Sequence, residues 1–281
     1  MMSNTQFIPL FQLDSFSDEA FKGNPAAVCL IVEEYEDSIL QKIAAEMNLS
    51  ETAYIYVKDF ETISSSDTFR LRWFTPQVEV NMCGHATLAS AAVLFNEYQV
   101  KSDLIKFETL SGQLLAKQID DKIQLNFPLT ESEAIEPDVN MLKALGIQEH
   151  EAYVYSEVSQ DLLIQLKDAE AVETLAPDFN AMKMIDAERI IRGVVVTAKG
   201  DDTCDFVSRF FAPWVGINED PVTGSAHTQL QPFWSGILGK NEMKAKQVSS
   251  RSGELVVRAI QEKRIEIEGY AKLVLKGNLF L

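Results

Sequence analysis

The chain has 281 residues, a formal net charge of −17 and a pI near 4.6. That length suits one large domain or two of ordinary size, and 46% hydrophobic residues can fill a core, so disorder is not expected. A field of that sign argues against nucleic acid and anionic membranes as partners, and it leaves any anionic ligand in need of a local positive device.

The first helical signal is the amphipathic stretch Ser38–Met47. "TAYIYV" and "FRLRWFTP" follow, short and rich in β-branched and aromatic residues, and read as strands. Ala86–Tyr98 is apolar nearly all round, which predicts a buried helix. "GQLLAKQIDDKIQLNF" predicts a hairpin turning at Asp120-Asp121, and Phe127–Pro137 reads as a linker. Beyond it come helices over Pro137–Leu145 and "APDFNAMKMI", then strands "GVVVTA" and "DFVSRFFAP". A helix is expected from about Gly224 to Leu238, with Pro232 kinking it and Gly239 ending it. A last hairpin turns near Glu262-Lys263. The sheets are expected to be antiparallel.

Cys29, Cys83 and Cys204 have no CxxC spacing, which with three scattered histidines makes neither a disulfide framework nor a zinc pattern. The N-terminus lacks a basic-then-apolar signal, and no apolar run nears the ~20 residues of a membrane span. A cytoplasmic protein with no membrane partner is the expectation.

The halves echo each other. "RWFTPQVEVN" from Arg72 and "RFFAPWVGIN" from Arg209 share five of ten residues at an offset of 137. "GHAT" at Gly84 and "GSAHT" at Gly224 follow at 140, and "SGQLLAKQIDDK" from Ser111 matches "SGELVVRAIQEK" from Ser252 at 141. Three matches in one order predict a duplication. Each half sets a glycine-containing turn before a helix whose first N–H groups lack intrahelical partners, which suits an anion.

Reactive groups gather at these turns. The ungapped repeat pairs Cys83 with Asp220, His85 lies two residues after Cys83, Thr223 and Ser225 flank Gly224, and Glu51 opens the "ETAYI" strand. A carboxylate beside apolar residues is a candidate general base. Each group also has a plainer reading: Glu51 as a surface residue, His85 as a helix cap, Asp220 as a turn residue before Pro221, Cys83 and His227 as packed core residues.

Together, "FKGNPAAVCL", "ETAYI", "CGHATLASA" and "EDPVTGSAHTQLQPFW" resemble the PhzF-like isomerases of the diaminopimelate epimerase-like fold, over nearly the whole chain. The resemblance implies an α+β protein of two duplicated domains, each a mostly antiparallel sheet rolled around a central helix. Their expected extents are 1–127, with 271–281 returning as a strand, and 128–270, with the active site in the cleft between them. By resemblance Glu51 is the proton-shuttling acid/base, assisted by His85 and Asp220. Ser50, Gly84, Gly224 and Ser225 hold the carboxylate and polar groups of a small anionic substrate. Family members need no metal or organic cofactor, and many are homodimers. The related epimerases use one cysteine per half; here Cys83 stands at the first position and "DPVTGSA" offers no second. An isomerase that moves a proton between carbons is therefore expected, with an amino-acid racemase or epimerase, or a non-catalytic ligand-binding protein, as alternatives.

Overall fold

The computed structural model describes residues 7–186, 189–261 and 263–281, so Glu262 of the expected second hairpin turn and residues 1–6 of the expected first domain lie outside the described residues. In chain order the strands and helices are β1 (Phe7–Ser15), β2 (Asn24–Ile31), α1 (Asp37–Met47), β3 (Glu51–Tyr56), β4 (Thr68–Phe74), β5 (Glu79–Val80), α2 (Gly84–Ala92), β6 (Leu104–Thr109), β7 (Gly112–Ile119) and β8 (Lys122–Pro128). Then come β9 (Glu133–Ala134), α3 (Val139–Leu145), β10 (Ala152–Ser156), β11 (Asp161–Gln165), α4 (Ala169–Glu173), α5 (Phe179–Lys183), β12 (Gly193–Lys199), β13 (Phe206–Ala212) and β14 (Ile217–Asp220). The chain ends with α6 (His227–Leu238), β15 (Glu242–Gln247), β16 (Gly253–Ile260), β17 (Arg264–Gly269) and β18 (Ala271–Phe280). It divides into two compact units, Met1–Asn126 with Glu268–Leu281, and Phe127–Ile267.

In the first unit β18 lies antiparallel to β1 along its length, from Phe7 opposite Phe280 to Ser15 opposite Ala271. The sheet continues through β2, β3, β4, β6 and β7 to β8. Two of its pairings are parallel, β2 with β3 and β4 with β6, which corrects the expectation of antiparallel sheets. Parallel neighbours need a crossover, and helices supply it: α1 between β2 and β3, α2 between β4 and β6. Strand β2 is covered on both faces, so it reads as an apolar run, "AAVCLI", without alternation. Ala27, Cys29 and Ile31 pack with Leu40, Ile43 and Ala44 of α1. The helix α2 is buried from His85 to Ala92 and packs on β1, β2, β3 and β7. Its expected extent to Tyr98 is met differently: Val93–Glu97 widens into a π-helical turn.

The second unit repeats this pairing order. Strands β10 and β11 are antiparallel, β11 and β12 parallel, β12 and β13 antiparallel, β13 and β15 parallel, β15 and β16 antiparallel. Helices α4 and α5 bridge the first parallel pair and α6 the second. Val194 and Val196 of β12 pack with Met141, Leu145 and Phe211, while Thr197 on the opposite face accepts the indole N–H of Trp234, from α6, at 2.9 Å. The expected helix from Gly224 begins at His227, after a turn. Pro232 cannot donate to the carbonyl of Thr228, and the backbone N–H of Thr130 takes that acceptor at 3.0 Å. Part of the expected linker is strand β9, paired with β10.

Candidate active site

In the first unit, Glu51 opens β3 opposite Ala26 of β2, and His85 is the second residue of α2. Sequence neighbours Ser50 and Gly84 lie half-buried beside them. Thus Glu51 and His85, 34 positions apart in sequence, meet: His85 Nε2 is 3.2 Å from Glu51 Oε2, though not in a well-aligned hydrogen bond. The other ring nitrogen, Nδ1, faces Cys83 Sγ at 3.5 Å. The turn holding them is tied down twice: Thr87 Oγ1 donates to the Cys83 carbonyl at 2.6 Å, and Ser15 Oγ donates to the His85 carbonyl at 2.7 Å. Burial pulls the His85 imidazole down to about 3, so it is neutral at physiological pH. A neutral ring carries one proton and one lone pair, and can pass a proton between partners on its two sides.

Glu51, Cys83 and His85 bring carboxylate, thiol and imidazole donors within 4.8 Å of one another, a donor set that a soft divalent cation accepts. The ring nitrogens, however, face different neighbours. That arrangement sets the ring between the carboxylate and the thiol, with one nitrogen towards each.

In the second unit Asp220 closes β14 and is 9% exposed. Thr223 Oγ1 donates to Asp220 Oδ2 at 2.5 Å. The fully buried Gln247, from β15, accepts from the Thr223 N–H at 2.9 Å and donates to the Asp220 carbonyl at 2.7 Å. His227 Nδ1 lies 2.8 Å from the Thr223 carbonyl, which can only accept, so Nδ1 carries the ring proton. Gly224 and Ser225 follow in the turn entering α6, and the Ser225 hydroxyl lies 3.4 Å from Arg192 Nη2. The structure thus gathers Asp220, Gly224 and Ser225 in one turn, as it gathers Ser50, Glu51, Gly84 and His85 in the other unit.

Register alters one sequence expectation. Trp73 stands opposite Val80 in β4–β5, and Phe210 stands opposite Asp220 in β13–β14. Arg72 forks onto Glu79 and Arg209 onto Glu219. Asp220 therefore occupies the station of Val80, and the station of Cys83 belongs to Thr223, whose carbonyl accepts a bond from the residue four further on, as that of Cys83 does. The ungapped pairing fails because the second hairpin is longer, with a 3-10 turn at Pro213–Val215 before Gly216. Sequence reasoning misses Gln247 and Arg192; a lone glutamine in a charged strand and an arginine before "GVVVTA" carry no local signal.

The fold is mixed α/β, and it sets a neutral histidine beside a carboxylate at a helix start. The family model described as phenazine biosynthesis-like protein matches residues 13–277. The chain is 43% identical to a phenazine biosynthesis-like domain-containing protein of Homo sapiens, covering 97% of this chain and 99% of that one. It is also 43% identical to an uncharacterised isomerase of Pseudomonas aeruginosa, over 98% and 99% of the two chains. A crystal structure of a PhzF-family phenazine biosynthesis protein from Enterococcus faecalis superposes with a TM-score of 0.89 at 41% identity, covering 98% of this chain and all of that one. The chain belongs to the PhzF, phenazine biosynthesis-like, family. At 10% identity and a TM-score of 0.59, a hydroxyproline epimerase shares the fold.

Proposed function

We propose that the protein is an isomerase that needs no organic cofactor and moves a proton between carbons of a small carboxylate-bearing substrate. The observation that carries this is the contact of Glu51 with a buried, neutral His85. Glu51 takes an acidified C–H proton and returns it to a second carbon. His85, neutral and flanked by Cys83, holds the carboxylate and relays charge without becoming a competing cation. Asp220, fixed by Thr223 and Gln247, acts on the same substrate, while Ser50, Gly84, Gly224 and Ser225 hold its polar groups. The recurring strand order and the paired Arg–Glu forks support descent of the two units from one duplicated, epimerase-like domain. The name of the Pseudomonas relative supports the isomerase class. A homodimer acting in the cytoplasm completes the proposal; among the described residues no helix is long and apolar enough to cross a membrane.

The test is proton exchange in D₂O against a panel of cyclic and amino-acid carboxylates, followed by mass. General acid–base catalysis contributes typically ~10²–10⁴-fold, so Glu51→Gln should lower exchange by at least ~10²-fold. Exchange that survives within tenfold removes Glu51 as the base. The contact of Cys83 Sγ with His85 favours one second reading, a racemase or epimerase in which the thiol is an acid/base. Loss of exchange in Cys83→Ser with retention in Glu51→Gln would decide for it.

A further inference from the structure

A protein of net charge −17 that takes an anionic substrate must concentrate positive charge locally. In the second unit one arginine is built for such a task. Asp161 opens β11 opposite Gly193, so Arg192 stands at the adjoining strand end. Its Nε donates to Asp161 Oδ1 at 3.0 Å and to the Ser159 carbonyl at 3.1 Å, and its Nη2 donates to Asp161 Oδ2. The Asp161 side chain is wholly buried, whereas that of Arg192 is 37% exposed. The pair thus turns its acid inward and its cation outward. The guanidinium also sits 5.4 Å from the centre of the Phe210 ring. That ring lies flush against Gly193, where a Cβ would come within 2.2 Å of it.

Two strand ends need no ion pair to be joined: burying a charge is costly, and apolar pairs of similar volume are often equally stable. What a fork held on a buried acid adds is a rigid, outward-facing cation. Its Nη2 reaches the Ser225 hydroxyl at 3.4 Å, and its Nη1 makes no hydrogen bond to the described residues. Phe210, which it covers, is the register partner of Asp220.

We propose that Arg192, clamped on buried Asp161, is a positioning residue that orients the Ser225 hydroxyl and supplies the positive charge of the substrate-carboxylate subsite. The proposal rests on the assignment of Ser225 to carboxylate binding. The substrate class it selects is a monoanion with its carboxylate at the start of α6, in preference to a neutral amide of the same shape.

Titration by NMR with benzoate and acetate, each against its neutral amide, tests this. The wild type should prefer the carboxylates. Arg192→Gln combined with Asp161→Asn removes both charges and keeps polar side chains; it should weaken carboxylates about tenfold and leave the amides unchanged, the scale of a hydrogen bond to a charged group. A folded double variant that binds carboxylates within twofold of wild type, or a wild type without carboxylate preference, overturns the proposal. Should that variant not fold, Arg192→Lys and Ser225→Ala decide: each weakens benzoate severalfold, and the pair together no more than either alone, whereas additive losses overturn it. Glu51→Gln should keep carboxylate affinity and lose exchange. Retained exchange there removes Glu51 as the base while leaving Arg192 in place, and a silent Arg192 variant beside an inactive Glu51 variant removes only the arginine.

Discussion

Two buried imidazoles make this protein lose stability in acid. Burial holds His85 at about 3 and His227 at about 4, against an ordinary 6.5. As pH falls below about 6.5 the unfolded chain takes up both protons before the folded one does. Stability is therefore full above that pH and is lost progressively towards the folded values, at about 1.4 kcal/mol per pH unit for each histidine. His227→Gln should lower the slope of unfolding free energy between pH 4.5 and 6 by about that amount, read from urea unfolding at each pH; an unchanged slope would mean His227 is not neutral in the folded state. Of the residues around these rings, Glu51, His85 and Asp220 are legible in the sequence because their motifs are local. Gln247 is not, since a hydrogen bond to a strand 27 positions away leaves no trace in spacing.

At the scale of elements, legibility follows amphipathicity. The half-exposed hairpin β7–β8 alternates, and its turn at Asp120-Asp121 is plain in the sequence. Strands β2 and β11 are buried on nearly every residue, so the periodicity that separates strand from helix is absent and neither is legible. Parallel pairing is hidden for a related reason: direction is decided by which helix crosses back, not by residues within the strand. Packing between elements is tight where β12 begins on β13. Gly193→Ala places a methyl against the Phe210 ring, and overpacking of this kind costs typically ~1–3 kcal/mol. The melting temperature should fall accordingly, and carboxylate affinity should fall with it because Phe210 underlies Arg192; an unshifted melting temperature would show that the ring simply turns aside.

For the whole molecule, charge governs the approach of a ligand. A net −17 repels an anionic substrate at long range, whereas the Arg192–Asp161 pair acts at contact and is screened less. KM for a carboxylate substrate should fall at least twofold as ionic strength rises from ~10 mM to ~150 mM, where the Debye length contracts from ~30 Å to ~8 Å. A KM that rises with salt would mean that positive charge dominates the approach. Measured initial rates over that range separate the two, with kcat expected to stay constant.

The sequence by itself determined the family, the buried helix at Ala86, the strand at Glu51 and the turns bearing His85 and Asp220, because each is a run of neighbours whose polarity and spacing carry the information. Tertiary structure alone decided that His85 faces both Glu51 and Cys83, that Thr223 takes the station of Cys83, and that Arg192 is fixed on a buried aspartate beside Ser225. The contacts to Glu51 and to Arg192 join residues distant in sequence, and they exist only once backbone pairing has set register and excluded water.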